Sequence, residues 1–170
     1  MGELVHSIPK PMIKMDNIPI LLHQINVLKR YNIKNYIITS GYKHDVIEKF
    51  FENGNKYGVN IQYHVETKPL GTAGALPLIS EHLSDEFLVV YGDIIFDINC
   101  SNFIKFHKKH NGKYSVIIHP NNHPYDSDIF EIKNNKIATI HSKPHKPRTY
   151  YPNNINAGIY LLNKEVIDFI

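Results

Sequence analysis

The chain has 170 residues, 42% of them hydrophobic and 21% charged, an ordinary balance for a globular domain with enough length to bury a real core. Its net charge is +3, and the basic residues are spread along the chain instead of gathered into the stripe or arm of a nucleic-acid binder, so nucleic acid is excluded as the expected partner. One cysteine, Cys100, rules out an internal disulfide. No apolar run reaches the roughly 18 residues that span a bilayer, and the opening MGELVHSIPKP lacks the layout of a secretory signal, so the expected location is the cytoplasm and no membrane partner is expected.

Apolar residues at helical spacing predict a helix over 20–31, followed by a short strand at 36–39 that ends at Ser40-Gly41. A second helix is expected over 44–51 and an alternating strand over 60–65. A small-residue loop, KPLGTAGALPL, then leads into a helix over 72–83. The run at 86–91 is the most continuously apolar and is expected to be the central strand. Further along, a helix at 102–110, a strand at 114–119, a hairpin over 129–140 turned at Asn134-Asn135, a strand at 156–162 and a helix from Lys164 complete the series. This alternation predicts one α/β domain with a Rossmann-like, doubly wound, mostly parallel sheet and an antiparallel hairpin. The long polar loop at 144–154 has the character of a ligand cover. The histidines, His107 and His110 among them, form no grouping of metal-ligand spacing and read as surface residues.

In open α/β sheets ligands bind beyond the carboxyl ends of the strands, and candidate residues stand at such ends here. Gly71-Thr-Ala-Gly74 either lets a ligand approach the backbone or makes a tight turn. Asp93, in Tyr91-Gly92-Asp93, either holds a hard cation such as Mg²⁺ or caps the next turn. Lys143 is either a phosphate partner or a solvated lysine. Asn156-Ala-Gly158 suits sugar hydroxyls and equally suits a plain turn. Asp126-Ser-Asp128 has the Asp-x-Asp form of a glycosyltransferase metal site but falls too late in the strand order. Its Asp128 either contacts sugar hydroxyls or stabilises a turn.

Taken in order, Ile8-Pro-Lys-Pro-Met12, Gly41-Tyr42, Tyr57-Gly-Val59, Pro69-Leu-Gly-Thr-Ala-Gly-Ala75, Tyr91-Gly-Asp93, Ser142-Lys-Pro144 and Asn156-Ala-Gly-Ile-Tyr160 resemble the sugar-1-phosphate nucleotidylyltransferases along essentially the whole chain. The resemblance implies a nucleotide-diphospho-sugar transferase fold that makes an NDP-sugar and pyrophosphate from an NTP and a sugar 1-phosphate, with Mg²⁺ as cofactor. It places Pro69, Leu70, Gly71, Thr72 and Gly92 at the nucleotide and Lys10 at its phosphates. It puts Asp93 on the metal, Lys143 at the sugar phosphate, and Asp128, Asn156 and Gly158 at the sugar. PLGTAGAL is shared with mannose-1-phosphate guanylyltransferases, and residues 119–128 are similar to guanylyltransferase-like domains associated with heptose 1-phosphate, which points to GTP. Self-association is compatible with the resemblance.

The family also carries a GxGTRL phosphate loop and a second metal-binding aspartate, and this chain holds neither. The resemblance therefore implies a single incomplete domain over 1–170 without the first strand, expected to melt low or broadly and to turn over poorly. Ser142, where relatives often carry glutamate, leaves a second expectation: a noncatalytic relative that binds nucleotide or sugar nucleotide as a regulatory subunit.

Overall fold

The computed structural model describes residues 8–71 and 73–170. A two-residue strand pair, β1 (Lys14–Met15) and β2 (Ile18–Pro19), leads into helix α1 (Ile20–Lys29). Strand β3 (Asn35–Ser40), helix α2 (His44–Phe51) and strand β4 (Asn60–Val65) form a right-sized crossover unit, with β3 and β4 paired in parallel from Asn35↔Asn60 to Ser40↔Val65. Met12, Ile25, Ile47, Phe51, Val59 and Ile61 make the core between these helices and this pair of strands.

The rest of the chain builds a five-stranded sheet from β5 (Glu86–Val90), β6 (Tyr114–His119), β7 (Ile129–Lys133), β8 (Lys136–His141) and β9 (Ile155–Asn163). Helix α3 (Cys100–His110) connects β5 to β6. Among the described residues the strand at the centre of the sheet is β9, not β5: β5 lies against one edge and β6 against the other, and β7, which also pairs with β8, meets β9 at Ile155. The burial pattern explains this, because β9 hides Ile155, Ile159, Leu161 and Leu162, whereas no residue of β5 is fully buried. Strands β5, β6 and β7 all run antiparallel to β9 and hence in a common direction. The expected α/β class is thus present, with β3 and β4 paired in parallel and every described pairing in the five-stranded sheet antiparallel.

Local chemistry sets the element ends. The Asn99 side chain accepts the Asn102 N–H at 3.0 Å and caps α3, which stops at Asn111 in a left-handed conformation (φ 45°). The β7–β8 hairpin turns on Asn134 and Asn135, both at positive φ (52° and 59°), the backbone of the tight turn that suits a right-twisted hairpin.

The helix expected over 72–83 is corrected. Residues 73–76 form turns and Pro77–His82 is a 3₁₀ helix, with i→i+3 bonds such as Leu78 N–H to Ala75 O at 3.1 Å. Pro77 lacks an N–H, and its ring would strike the carbonyl four residues back, so an α-helix cannot run through it. The last helix, Lys164–Phe169, is likewise 3₁₀.

His107 is also corrected. It is 2% exposed, its Nδ1 lies 2.9 Å from Ser115 Oγ, and its Nε2 lies 2.9 Å from Asn163 Oδ1. The imidazole ties α3 to β6 and β9, a role that the neighbouring lysines concealed in the sequence. Replacing it with phenylalanine keeps the bulk but strands Ser115 and Asn163, and should cost about 2 kcal/mol in a denaturant titration. An unchanged midpoint would show that water takes over both partners.

Candidate functional site

Strand β5 ends at Val90, and residues 91–94 turn away from it with Asp93 near the apex. The turn is held from three sides. Tyr91 N–H donates to Gly158 O at 2.9 Å, tying it to β9. The amide of Gln24, on α1, donates to Tyr91 O at 2.8 Å and to Ile94 O at 2.7 Å. A Cβ added to Gly92 would lie 3.0 Å from Pro11 Cγ, so the Lys10-Pro11 segment rests directly on the turn. Lys10 Nζ therefore reaches Asp93 Oδ2 at 3.3 Å, joining residues far apart in the chain. Both side chains are well exposed, and such a pair is weakly held and free to rearrange around an incoming cation or phosphate.

The Asn156-Ala-Gly158 segment lies beside the same turn. Gly158 has φ +75°, and a Cβ there would stand 2.7 Å from the Tyr91 ring, so only glycine admits that ring. Gly158 N–H donates to Asn156 Oδ1 at 2.8 Å, and Asn156 Nδ2 donates to the Tyr160 hydroxyl. The Tyr160 and Tyr91 hydroxyls are 3.2 Å apart. Burial, and then the Tyr91 hydrogen bond, push the Tyr160 hydroxyl well above its ordinary range, with the Asp128 charge acting in the same direction. Tyr160 stays a neutral hydroxyl, able to donate and accept.

Asp128 in turn connects to Lys143: its Oδ1 accepts the Lys143 N–H at 3.2 Å. Lys143 Nζ donates to the Asp126 backbone carbonyl at 3.0 Å, so its positive charge is met by a carbonyl and not by a carboxylate. Tyr125, Asp126, Lys143 and Pro144 line an open cleft of about 580 Å³. The peptide between Lys143 and Pro144 is cis.

Lys10, Gly92, Asp93, Asn156 and Gly158 are thus linked through contacts running by way of Tyr91 and Tyr160, while Asp128 and Lys143 form a separate pair that reaches Tyr160 only through the Asp128 charge. Pro69, Leu70 and Gly71 stand on another loop, beyond β4, where Leu70 N–H donates to Glu66 Oε2 at 3.4 Å. Among the described residues no hydrogen bond or ion pair joins this loop to the Lys10–Asp93 pair. Thr72 lies outside the described residues. Gly71 and Gly74 are small for different reasons. Gly71 has φ +75° with nothing within 4 Å of an added Cβ, whereas a Cβ on Gly74 would run into the Leu70 carbonyl.

Sequence reasoning passed over Gln24, Tyr91 and Tyr160. A signal was present for the first: Gln24 is a polar residue at helical spacing from Leu21 and Leu28, on the face that also presents Ile25 to the core. The tyrosines stand inside two of the motifs but carried no signal of a role of their own.

Asp93 offers one exposed carboxylate, and among the described residues no three His, Cys, Asp or Glu side chains gather around a common point. That donor set fits Mg²⁺, which takes one or two carboxylates and completes its shell with water and phosphate oxygens, and does not fit a closed metal cage.

Residues 2–170 match the family model described as "Nucleotidyl transferase". The chain belongs to this family. Two similar proteins are the mannose-1-phosphate guanyltransferases of Yarrowia lipolytica, 36% identical over 98% of this chain and 47% of that protein, and of Saccharomyces cerevisiae, 35% identical over the same shares. The chain spans about half the length of these curated relatives. Solved structures show the same fold. A Bacillus anthracis protein crystallised with sucrose has a TM-score of 0.87 at 24% identity, over 99% of this chain and 68% of its own. HddC from Yersinia pseudotuberculosis, solved with GMP-PN, has a TM-score of 0.81 at 22% identity, over 100% of this chain and 74% of its own. Among the described residues of this nucleotidyl transferase, no helix is long and apolar enough to cross a membrane.

Proposed function

We propose that the chain is the substrate-binding part of a sugar-1-phosphate guanylyltransferase, joining GTP and mannose 1-phosphate into GDP-mannose and pyrophosphate in the cytoplasm. The observation that carries the reading is the meeting of Lys10 with Asp93 on a turn that Tyr91 also packs against Gly158. One phosphate-seeking ammonium, one cation-seeking carboxylate and one hydroxyl-binding segment then share a strand end. The names of the guanylyltransferase relatives support guanine as the base and mannose over heptose as the sugar.

The sugar-phosphate oxygen attacks the α-phosphorus of the nucleotide, the α–β anhydride bond breaks, and pyrophosphate leaves. No protein nucleophile is needed, so the residues act by positioning and charge. Lys10 lies against the nucleotide phosphates and Asp93 holds the divalent cation. When bound, Mg²⁺ supplies charge neutralisation on the phosphates. Lys143 meets the sugar phosphate, while Asp128, Asn156 and the Gly158 backbone orient the sugar hydroxyls. Pro69, Leu70 and Gly71 face the base, where the open space beside Gly71 admits a flat ring, and Thr72 is assigned to the base by the resemblance alone.

Calorimetric titration of the chain with Mg²⁺ and GTP, UTP or dTTP, and with GDP-mannose, tests the reading. GTP and GDP-mannose should bind, and the Lys143→Ala variant should weaken mannose 1-phosphate by about tenfold while GTP affinity stays within about twofold. A preference for UTP or dTTP would overturn the guanine assignment. GDP-mannose binding that ignores Lys143 would remove that residue from the sugar-phosphate site.

A further inference from the structure

We infer that Gln24 is a positioning residue for Asp93: its side-chain amide sets the shape in which the residue 91–94 turn presents the carboxylate to a divalent cation. The inference rests on the reading that Asp93 holds that cation for a nucleotide. Gln24 is 4% exposed, in a helix whose other buried residues are Ile25 and Leu28. Burying an amide is costly unless it is hydrogen-bonded. Here the single NH₂ group donates to Tyr91 O at 2.8 Å and to Ile94 O at 2.7 Å, the two carbonyls that bracket Gly92-Asp93. A planar group with two fixed N–H directions sets the span between those carbonyls, and hence the arc on which Asp93 rides.

The anchor behind Gln24 is also the anchor of Lys10. Ile25, next to Gln24, packs in the same core as Met12, two residues beyond Lys10. Pro11 closes the contact by resting on Gly92. Helix α1 therefore holds the ammonium side of the pair by packing and the carboxylate side by hydrogen bonds, so the 3.3 Å separation of Lys10 and Asp93 is set from one element. Among the described residues, the other backbone hydrogen bond of the turn, Tyr91 N–H to Gly158 O, lies before Asp93 and leaves the Ile94 side to Gln24.

The test needs no substitution at Gln24. Gln24 and Gln62 are the chain's two glutamines, and Gln62 is exposed on β4. Labelling glutamine with ¹⁵N therefore gives two side-chain amide signals, one of them protected from exchange. On adding Mg²⁺ with GTP, the protected signal should shift in the parent chain and stay in place in Asp93→Asn. In parallel, Gln24→Met, which keeps length without donors, should lower Mg²⁺–GTP affinity about tenfold and metal-free GTP affinity less than twofold. Gln24→Asn, too short to span both carbonyls, should do the same and serves if the methionine variant does not fold. A protected signal that ignores Mg²⁺–GTP while binding still depends on Asp93, or Gln24 variants that bind Mg²⁺–GTP like the parent, would overturn the inference. A parent chain that binds Mg²⁺–GTP no better than Asp93→Asn would overturn the cation reading of Asp93 instead, and the inference with it.

Discussion

Replacing Asp93 with asparagine should cut Mg²⁺-dependent pyrophosphate release about a thousandfold, or about 4 kcal/mol of transition-state stabilisation. The substitution keeps the shape of the side chain and removes its charge. Asparagine offers a cation one neutral oxygen in place of a carboxylate, so the turn no longer presents the charge that would hold the metal. Fold stability should hardly change. Asp93 is exposed on a turn whose described backbone ties run through Gly158 and Gln24, and its pair with Lys10 is solvent-screened. The melting temperature should stay within about 2 °C of the parent. Release that persists at the parental rate would place the cation elsewhere. A large fall in melting temperature would mean that Asp93 is structural.

Gly158→Ala should lower the melting temperature by roughly 10 °C. Two costs add at this position. A residue with a side chain pays about 1–2 kcal/mol in the left-handed region, where Gly158 sits at φ +75°. The new methyl also stands 2.7 Å from the Tyr91 ring, and overpacking of this kind costs about 1–3 kcal/mol. Gly71→Ala is the internal control, because Gly71 has the same φ and nothing within 4 Å of the added atom. It should show the backbone cost alone, a fall of roughly 2–6 °C. Equal effects at the two glycines would mean that the Tyr91 ring moves aside freely. Tyr91 would then be a loose link between the Asp93 turn and the Asn156-Ala-Gly158 segment.

Much of the architecture could be read locally. Helix His44–Phe51 and strands Asn60–Val65 and Tyr114–His119 fall where periodicity puts them, and the Asn134-Asn135 turn forms as its residue types demand. Those features depend on neighbours within a few residues, which is the range over which apolar spacing and turn preferences act. The segment at 72–83 misled because its apolar spacing suits a helix while Pro77 forbids the α form through the turn before it. His107 misled because adjacent lysines made it look solvated, and its partners Ser115 and Asn163 come from other strands.

Motif order named the residues of the proposed site, since Lys10, Asp93, Lys143 and Asn156-Gly158 belong to short segments that keep their chemistry wherever the chain carries them. How they meet is a matter of long-range packing. Pro11 rests on Gly92, Tyr91 fills the space left by Gly158, and Gln24 reaches from a helix across to the turn that carries Asp93. None of these contacts has a counterpart in local spacing, because each depends on how a helix core and a sheet edge settle against one another. A buried amide such as Gln24 looks like a flaw on an apolar helix face until the two carbonyls it satisfies are in place.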